Sequence, residues 1–489
     1  MPLRWIGHPG LDPLIVTLLL VLSLCLHFFR LGMWPFAGDE VHTAREAASL
    51  MGDIDFHHSS QLYRLPRMIP VSYTLLWIGY ELFGRDEFGS RVMPAILGSL
   101  QVPLVYALLR RIAGRVVGLA SALLLAGWWT HLQFSQQNRF YAPASFFVLL
   151  ALLCGLLAVQ QSSTRWLAGA LVASVLAFAS HNLQGTVLAV VAGGWLLAWR
   201  FDRRRESPSP DEHGRTQRRL ELLMVVAALI LAGTMAVVYV WPLARSWNLG
   251  GTGASPSHLM LAIVGSVGWP VIILSCVGLL AIASRDRTTL PFWGLGLGAL
   301  LVTGLVLPAW IVFRHAYLFP LEVILILLAG FGVGLIYDSV RRTNPPAALV
   351  SFLGLCALNL PSSVSYFRDG ARYDHRAAAA HLREKVGPTD RILSFAPHIT
   401  STYLPEHAAK VSLLKEGAPL PVVRAAMVEL EPGRKLWLAM HKGRGGLATE
   451  WITGLAEMGC SLVFQESQVR YDYYDFQVYL FECKRAQGF

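Results

Sequence analysis

The chain has 489 residues, 54% of them apolar and 15% charged, with a formal net charge of +10. Soluble domains carry about 25% charge, so the balance excludes an ordinary soluble enzyme. The basic residues sit in short loops between apolar runs, which fits membrane topology and not a nucleic-acid-binding surface.

Apolar runs long enough to cross a bilayer recur from residue 11 to about residue 364, the pattern of a multi-pass membrane protein. The first, Leu11 to Phe28, lacks a small-residue cleavage site and reads as a retained helix rather than a signal peptide. Asp39 and Glu40 follow it, where the chain should leave the membrane. A carboxylate at that depth is costly unless it is hydrated, paired or used. Ala44, Ala47, Ala48 and Met51 then recur at helical spacing. They predict a short helix near the bilayer surface with the acidic pair at its N-terminal end. The bland alternative is a solvated loop with Asp39 as a helix cap.

The loop 31–90 contains a second apolar stretch, Met68 to Phe83, interrupted by Pro70 and Glu81. If it spanned, Arg110, Arg111 and Arg115 would fall outside, against the positive-inside rule. The stretch therefore reads as interfacial. Further spans are expected at 92–109, 116–134, 142–159, 166–181, 184–199, 220–241, 259–282, 290–311, 317–336 and 347–364, about 11 with the first. The loop 200–219 holds seven arginines and is the strongest orientation signal. It places the N-terminus inside and the tail outside, as expected for a bacterial inner (plasma) membrane protein. Cys25, Cys154, Cys276 and Cys356 lie in apolar runs and read as small hydrophobes. Cys460 and Cys483 fall in the polar tail, where spacing alone leaves a disulfide open.

The predicted fold class is mainly α: a membrane helical bundle over residues 1–364, including the surface loop 31–90, followed by an extracytoplasmic α/β domain over 365–489. In that tail, helices are expected at Tyr373 to Val386 and Thr449 to Met458, and strands at 391–395, 435–440, 461–464 and 476–481. Gly443 to Gly446 reads as a turn.

The polar clusters all fall on the predicted outer side. They are Asp39 and Glu40; His57, His58, Arg64 and Arg67; Ser135 to Tyr141; His181, Asn182 and Gln184; and Arg314 to Pro320, with His315 and Tyr317. A carboxylate beside a surface acceptor can act as general base. Arginines near the interface can hold a phosphate. Tyr141 and Tyr317 can pack against a sugar face or a prenyl chain. These parts suit transfer from a lipid phosphate to a polar acceptor. Each also has a plainer reading: Arg64, Arg67 and Arg91 as headgroup anchors, Arg139 and Arg314 as surface anchors, and Asn182 and Gln184 as helix-end partners. No cofactor is certain from the sequence, and a divalent metal stays an open alternative. His57-His58 is too close in sequence to be a strong divalent-metal signal.

Gly38-Asp39-Glu40 with Ala44 and Arg45, Arg64-Leu65-Pro66, Phe83-Gly84-Arg85, Arg91 to Pro94, Ser135 to Tyr141, and Arg314 to Pro320 occur in an order that resembles the GT-C superfamily. These are polyprenyl-phosphate-dependent glycosyltransferases, and the likeness is to the branch of protein O-mannosyltransferases and lipid A aminoarabinose transferases. Arg67 stands where that branch often has a second proline, and Gln136 replaces an arginine. The resemblance implies a polyprenyl-phosphate-linked sugar as donor and the lipid bilayer as partner. The acceptor could be protein, lipid or glycan. It implies Asp39 as catalytic base with Glu40 assisting. It also implies Arg64, Arg139, Arg314 and Arg67 at the donor phosphate, and His58, Tyr141, Asn182, His315 and Tyr317 as substrate-binding. The competing readings are a lipid-linked glycan ligase and a transporter or flippase of a lipid-linked sugar. A flippase would call for internal repeats with broken helices, and no repeat is visible.

Overall fold

The computed structural model describes residues 11–36, 38–50, 70–161, 163–181, 256–285, 293, 297, 318–369, 374–415, 418–431, 433–442, 447–468 and 476–484. The chain divides into two compact units. One comprises Met1–Phe29, Ser59–Ile78 and Val92–Ser363; the other comprises Arg30–His58, Gly79–Arg91 and Val364–Phe489.

The first unit is helical: α1 (Leu11–Phe28), most of α4 (Glu87–Ala113), α5 (Arg115–Ala126), α6 (Trp129–Ser135), α7 (Tyr141–Gln161), α8 (Thr164–Ser180), α9 (Pro256–Val267), α10 (Trp269–Arg285), α11 (Phe319–Arg341) and α12 (Pro345–Cys356). Between α1 and α4 run α2 (Gly38–Leu50) and α3 (Pro70–Phe83). Among the described residues, five helices are long and apolar enough to cross a membrane, or up to seven if each bent pair is one span. The expected spans at 184–199 and 220–241, and nearly all of 290–311, lie outside the described residues.

Two spans read from the sequence as continuous are broken. The run expected at 116–134 bends by 64° between α5 and α6, and the run at 259–282 bends by 92° between α9 and α10. Both breaks fall at glycine. Gly127 caps α5 with its N–H on the Leu123 carbonyl. Gly268 adopts φ +84°, a left-handed conformation that a side chain resists. Hydropathy averages over such a break and cannot register it. At 14 residues, α3 rises about 21 Å, short of the ~30 Å needed to cross alone. Helices α10 and α11 touch backbone to backbone: a Cβ on Gly332 would come within 2.2 Å of the Leu274 carbonyl oxygen. Small residues at such crossings let membrane helices approach closely.

In the second unit the greater part of α13 (Leu360–Asp369) leads to α14 (His375–Lys385), β1 (Arg391–Ser394), α15 (Pro397–Tyr403), β2 (Val411–Leu413), α16 (Pro419–Val428), β3 (Lys435–Lys442), α17 (Thr449–Glu457), β4 (Cys460–Gln468) and β5 (Phe476–Lys484). The five strands form one sheet in the order β2-β1-β3-β5-β4. β1 pairs in parallel with β2 and β3, while β5 runs antiparallel to β3 and β4. Strand side chains alternate faces, and β3 shows the consequence. Leu436, Leu438 and Met440 pack with Val423, Met427 and Leu455, whereas Trp437 and Ala439 pack with Ala378, Ala379 and Leu382. Both faces are thus covered by helices, which the near-continuous apolar run of β3 requires. Asp390 ties the turn before β1 to β3: it accepts from the Trp437 indole at 3.0 Å, the Gly387 amide at 2.8 Å and the Lys435 amide at 3.1 Å. Cys460 and Cys483 face each other across β4 and β5 and form a disulfide.

Candidate functional site

The acidic pair opens α2. Its two carboxylates occupy the first turn, where the positive end of the helix dipole favours negative charge. Adjacent helical residues point about 100° apart, and this phase separates the pair. Glu40 is fully buried, whereas Asp39 is half-buried. The Asp39 carbonyl accepts from the Thr43 hydroxyl at 2.9 Å.

Glu40 is held by Arg91, which is also fully buried. The Arg91 Nε and Nη2 atoms each donate to one Glu40 carboxylate oxygen at 3.0 Å, the two-pronged fork that strengthens such pairs. The same guanidinium donates to the carbonyls of Leu31 at 3.2 Å, Trp34 at 2.6 Å and Pro35 at 3.0 Å. Its Cζ lies 5.4 Å from the centre of the Phe36 ring. One side chain therefore folds the turn after α1 and neutralises the second acid of the pair. The headgroup-anchor reading of Arg91 is corrected: its charge goes inward because five acceptors await it there.

The stretch Ser135 to Tyr141 lies in the helical unit, between α6 and α7. Gln136 reaches the end of α1 and donates to the carbonyls of His27 at 2.9 Å and Phe29 at 2.8 Å, satisfying groups that a helix terminus leaves open. An amide does this without adding a charge. Arg139 sits 4.6 Å over the Phe140 ring, and Phe140 stacks on His181 at 3.9 Å. Tyr141 is buried, with its ring 4.4 Å from Phe134. His58, Arg64, Arg67, Asn182, Arg314, His315 and Tyr317 lie outside the described residues. Among the described residues, no three His, Cys, Asp or Glu side chains are grouped to hold a metal ion.

Sequence reasoning passed over several residues that the structure brings together. In the helical unit, His27 meets His131 at 3.3 Å, Thr130 meets Ser266 at 2.7 Å, and Glu322 is buried within α11. Polar residues inside apolar helices were the available signal. In the other unit, Tyr403, Arg376, His398 and Thr402 surround the acidic loop from more than three hundred residues away, a separation that no local pattern reveals.

Residues 66–210 match the family described as dolichyl-phosphate-mannose-protein mannosyltransferase, a stretch that includes Arg91, Arg139 and Tyr141 and begins after the acidic pair. An uncharacterized protein of Aquifex aeolicus (strain VF5) is 28% identical over 181 residues, and the chain spans 35% of that relative's length. ArnT from Cupriavidus metallidurans, solved bound to undecaprenyl phosphate, matches with a TM-score of 0.56 at 15% identity, over 95% of this chain and 97% of that one. The Archaeoglobus fulgidus oligosaccharyltransferase in its apo form matches with a TM-score of 0.55 at 13% identity, over 89% of this chain and 70% of that one. The archaeal oligosaccharyltransferase AglB from Archaeoglobus fulgidus, in complex with an inhibitory peptide and a dolichol-phosphate, matches with a TM-score of 0.50 at 13% identity, over 88% of this chain and 69% of that one. Residues 66–210 thus carry the mannosyltransferase family pattern, and over 95% of its length the chain shares the fold of ArnT.

Proposed function

We propose that the protein is a membrane glycosyltransferase that moves a sugar from a polyprenyl-phosphate carrier to an acceptor at the outer face of the membrane. The observation that carries this reading is the division of the acidic pair on a GT-C fold. Glu40 is consumed by Arg91, while Asp39 stays half-buried at the helix start. ArnT has been solved with undecaprenyl phosphate and AglB with a dolichol-phosphate, and a carrier of that class fits a chain of apolar helices.

In this reaction Asp39 takes the proton from the acceptor hydroxyl or amine. The acceptor atom attacks the anomeric carbon, the bond from that carbon to the phosphate oxygen breaks, and the lipid phosphate leaves with the electron pair. One displacement inverts the anomeric centre. Arg64, Arg67, Arg139 and Arg314 are assigned to the departing phosphate, whose charge they offset. His58, Tyr141, Asn182, His315 and Tyr317 are assigned to the sugar and acceptor. Glu40 contributes through Arg91, which fixes the start of α2. The Cys460–Cys483 disulfide supports an outer, oxidising location for the tail.

The test is mass spectrometry of lipids copurifying with the full-length protein, with Asp39→Asn beside it. A retained prenyl-phosphate sugar and abolished turnover in the variant is the expected result, and the mass of the released carrier distinguishes a single sugar from a preassembled glycan. Equal turnover by the two proteins would remove Asp39 from the base role.

A further inference from the structure

Two helices of the tail, α14 and α15, close on α2 and the segments beside it, all within one compact unit. The Tyr403 hydroxyl accepts from the Phe36 amide at 2.6 Å, three residues before Asp39, and donates to the Glu87 carboxylate at 2.9 Å. Arg376 pairs with that same Glu87 oxygen at 3.2 Å and donates to the Met33 carbonyl. Further along α2, the Arg45 guanidinium donates to the His398 carbonyl at 2.8 Å and to the Thr402 hydroxyl at 3.0 Å. Between these points the His42 ring stacks on His398 at 4.2 Å. Phe36 and Val41 share an apolar cluster with Ala396, Ile399 and Tyr403. The grips thus fall at residue 36, just before α2, and at residues 41, 42 and 45 on it, so they bracket Asp39.

The gripping element is itself anchored. Helix α15 leaves the end of β1 through a turn in which the Ala396 amide donates to the Ser394 hydroxyl at 3.1 Å, and Ser394 and Thr400 hydroxyls meet at 2.8 Å. Burial first, and the charge of Glu87 second, hold the Tyr403 phenol above its ordinary range. It therefore stays an O–H donor across working pH.

We infer that the C-terminal section positions the base of the transfer reaction: Tyr403, through the Phe36 amide, and Arg45, through His398 and Thr402, fix the turn and helix that carry Asp39. The inference rests on Asp39 being that base. It gives the tail a role in catalysis without touching the reacting atoms, so Tyr403 and Arg45 are positioning residues. A misplacement of about 1 Å at a reacting group can cost up to roughly a hundredfold in rate. Loss of one hydroxyl bridge, with the ring kept, should cost less.

The experiment compares wild type, Tyr403→Phe, Arg45→Ala, Glu406→Gln and Asp39→Asn as full-length proteins in nanodiscs. Each is given a total extract of polyprenyl-phosphate sugars, and free polyprenyl phosphate is counted by mass spectrometry across a concentration and pH series. Tyr403→Phe should lower kcat about tenfold, leave KM for the extract within about twofold, and shift the acid limb of the pH–rate profile, the limb that reports the base. Deuterium uptake over residues 31–45 should rise in Tyr403→Phe and in Arg45→Ala. Glu406→Gln removes an exposed partner of Arg383 and should behave as wild type. An unchanged kcat and acid limb in Tyr403→Phe, with Asp39→Asn inactive, would overturn the positioning role and leave the base intact. Full turnover by Asp39→Asn would instead overturn the base, whatever Tyr403→Phe does. Should Tyr403→Phe not fold, Arg45→Ala decides by the same kcat, KM and acid-limb readings.

Discussion

Arg91→Met is the most informative single perturbation of the acidic loop. It leaves Glu40 buried with its charge uncompensated, and breaking a buried pair in this way costs about 3–5 kcal/mol. It also strips a donor from the carbonyls of Leu31, Trp34 and Pro35, each a loss of about 1 kcal/mol. These terms are not fully additive, so the expected total is about 4–7 kcal/mol. That is a large share of the ~5–15 kcal/mol by which a domain is stable, and residues 31–45 should open locally. The double variant Glu40→Leu/Arg91→Met removes the stranded charge but not the three orphaned carbonyls. It should recover more than half of the deficit and stop short of wild type. Amide exchange over residues 31–45 in nanodiscs reads the opening, and the thermal midpoint reads the total. A double variant less stable than Arg91→Met, or an Arg91→Met protein that exchanges like wild type, would refute the reasoning.

His375 gives a pH dependence with a definite sign. Burial, then the charges of His441 and His398, push it down to about 3, so the folded state binds its proton later than the unfolded chain does at about 6.5. Its contribution is complete above pH 6.5 and drains as pH falls toward 3, at up to about 1.4 kcal/mol per unit. The thermal midpoint of His375→Gln should fall less steeply between pH 7 and pH 5 than that of wild type; parallel slopes would exclude this histidine as the source. Reducing the Cys460–Cys483 bridge should cost about 3 kcal/mol, seen as a lower unfolding midpoint with reductant that a Cys460→Ser/Cys483→Ser protein does not share. Gly332→Ala places a methyl against the Leu274 carbonyl; parting α10 from α11 should cost about 1–3 kcal/mol, read as a lower midpoint, and an unchanged one would mean the helices yield freely.

The sequence showed the parts of the fold that depend on local period. The apolar runs behind α1, α4, α7 and α11 were legible, as were the strands expected at 391–395, 435–440, 461–464 and 476–481, three of which run longer in the structure, because span length and alternation are properties of neighbours in the chain. The three-residue β2 and the short α15 escaped, since Val411-Ser-Leu413 and Pro397 to Tyr403 are too brief to establish a period. The breaks at Gly127 and Gly268 escaped because an average over apolar residues does not feel one backbone angle. At the site, the position of Asp39 and Glu40 at a helix start was legible from charge and spacing. Their unequal burial was not, although the helical phase between adjacent residues already required them to point apart. The partners that decide it, Arg91 and Tyr403, stand 51 and 367 residues from the groups they hold.

That inequality bears on the chemistry. Two carboxylates both facing an incoming lipid phosphate would repel it, by about 4 kcal/mol for each pair of unit charges at 4 Å near a protein surface. Arg91 cancels one of them: it pairs with Glu40 inside the fold, while Asp39 stays half-buried at the start of α2. The same guanidinium sets the carbonyls of residues 31–35, so the geometry and the net charge of the loop change together. Glu40→Gln separates the two effects. It leaves Arg91 its three carbonyls and makes the loop one charge more positive. Glu40→Gln strands the buried Arg91 charge but keeps its three carbonyl contacts, so it should destabilise the loop less than Arg91→Met does and bind a phosphate donor no worse than wild type. A loop that unfolds in Glu40→Gln would show instead that the carboxylate charge, and not the carbonyl set, is what holds Arg91 in place.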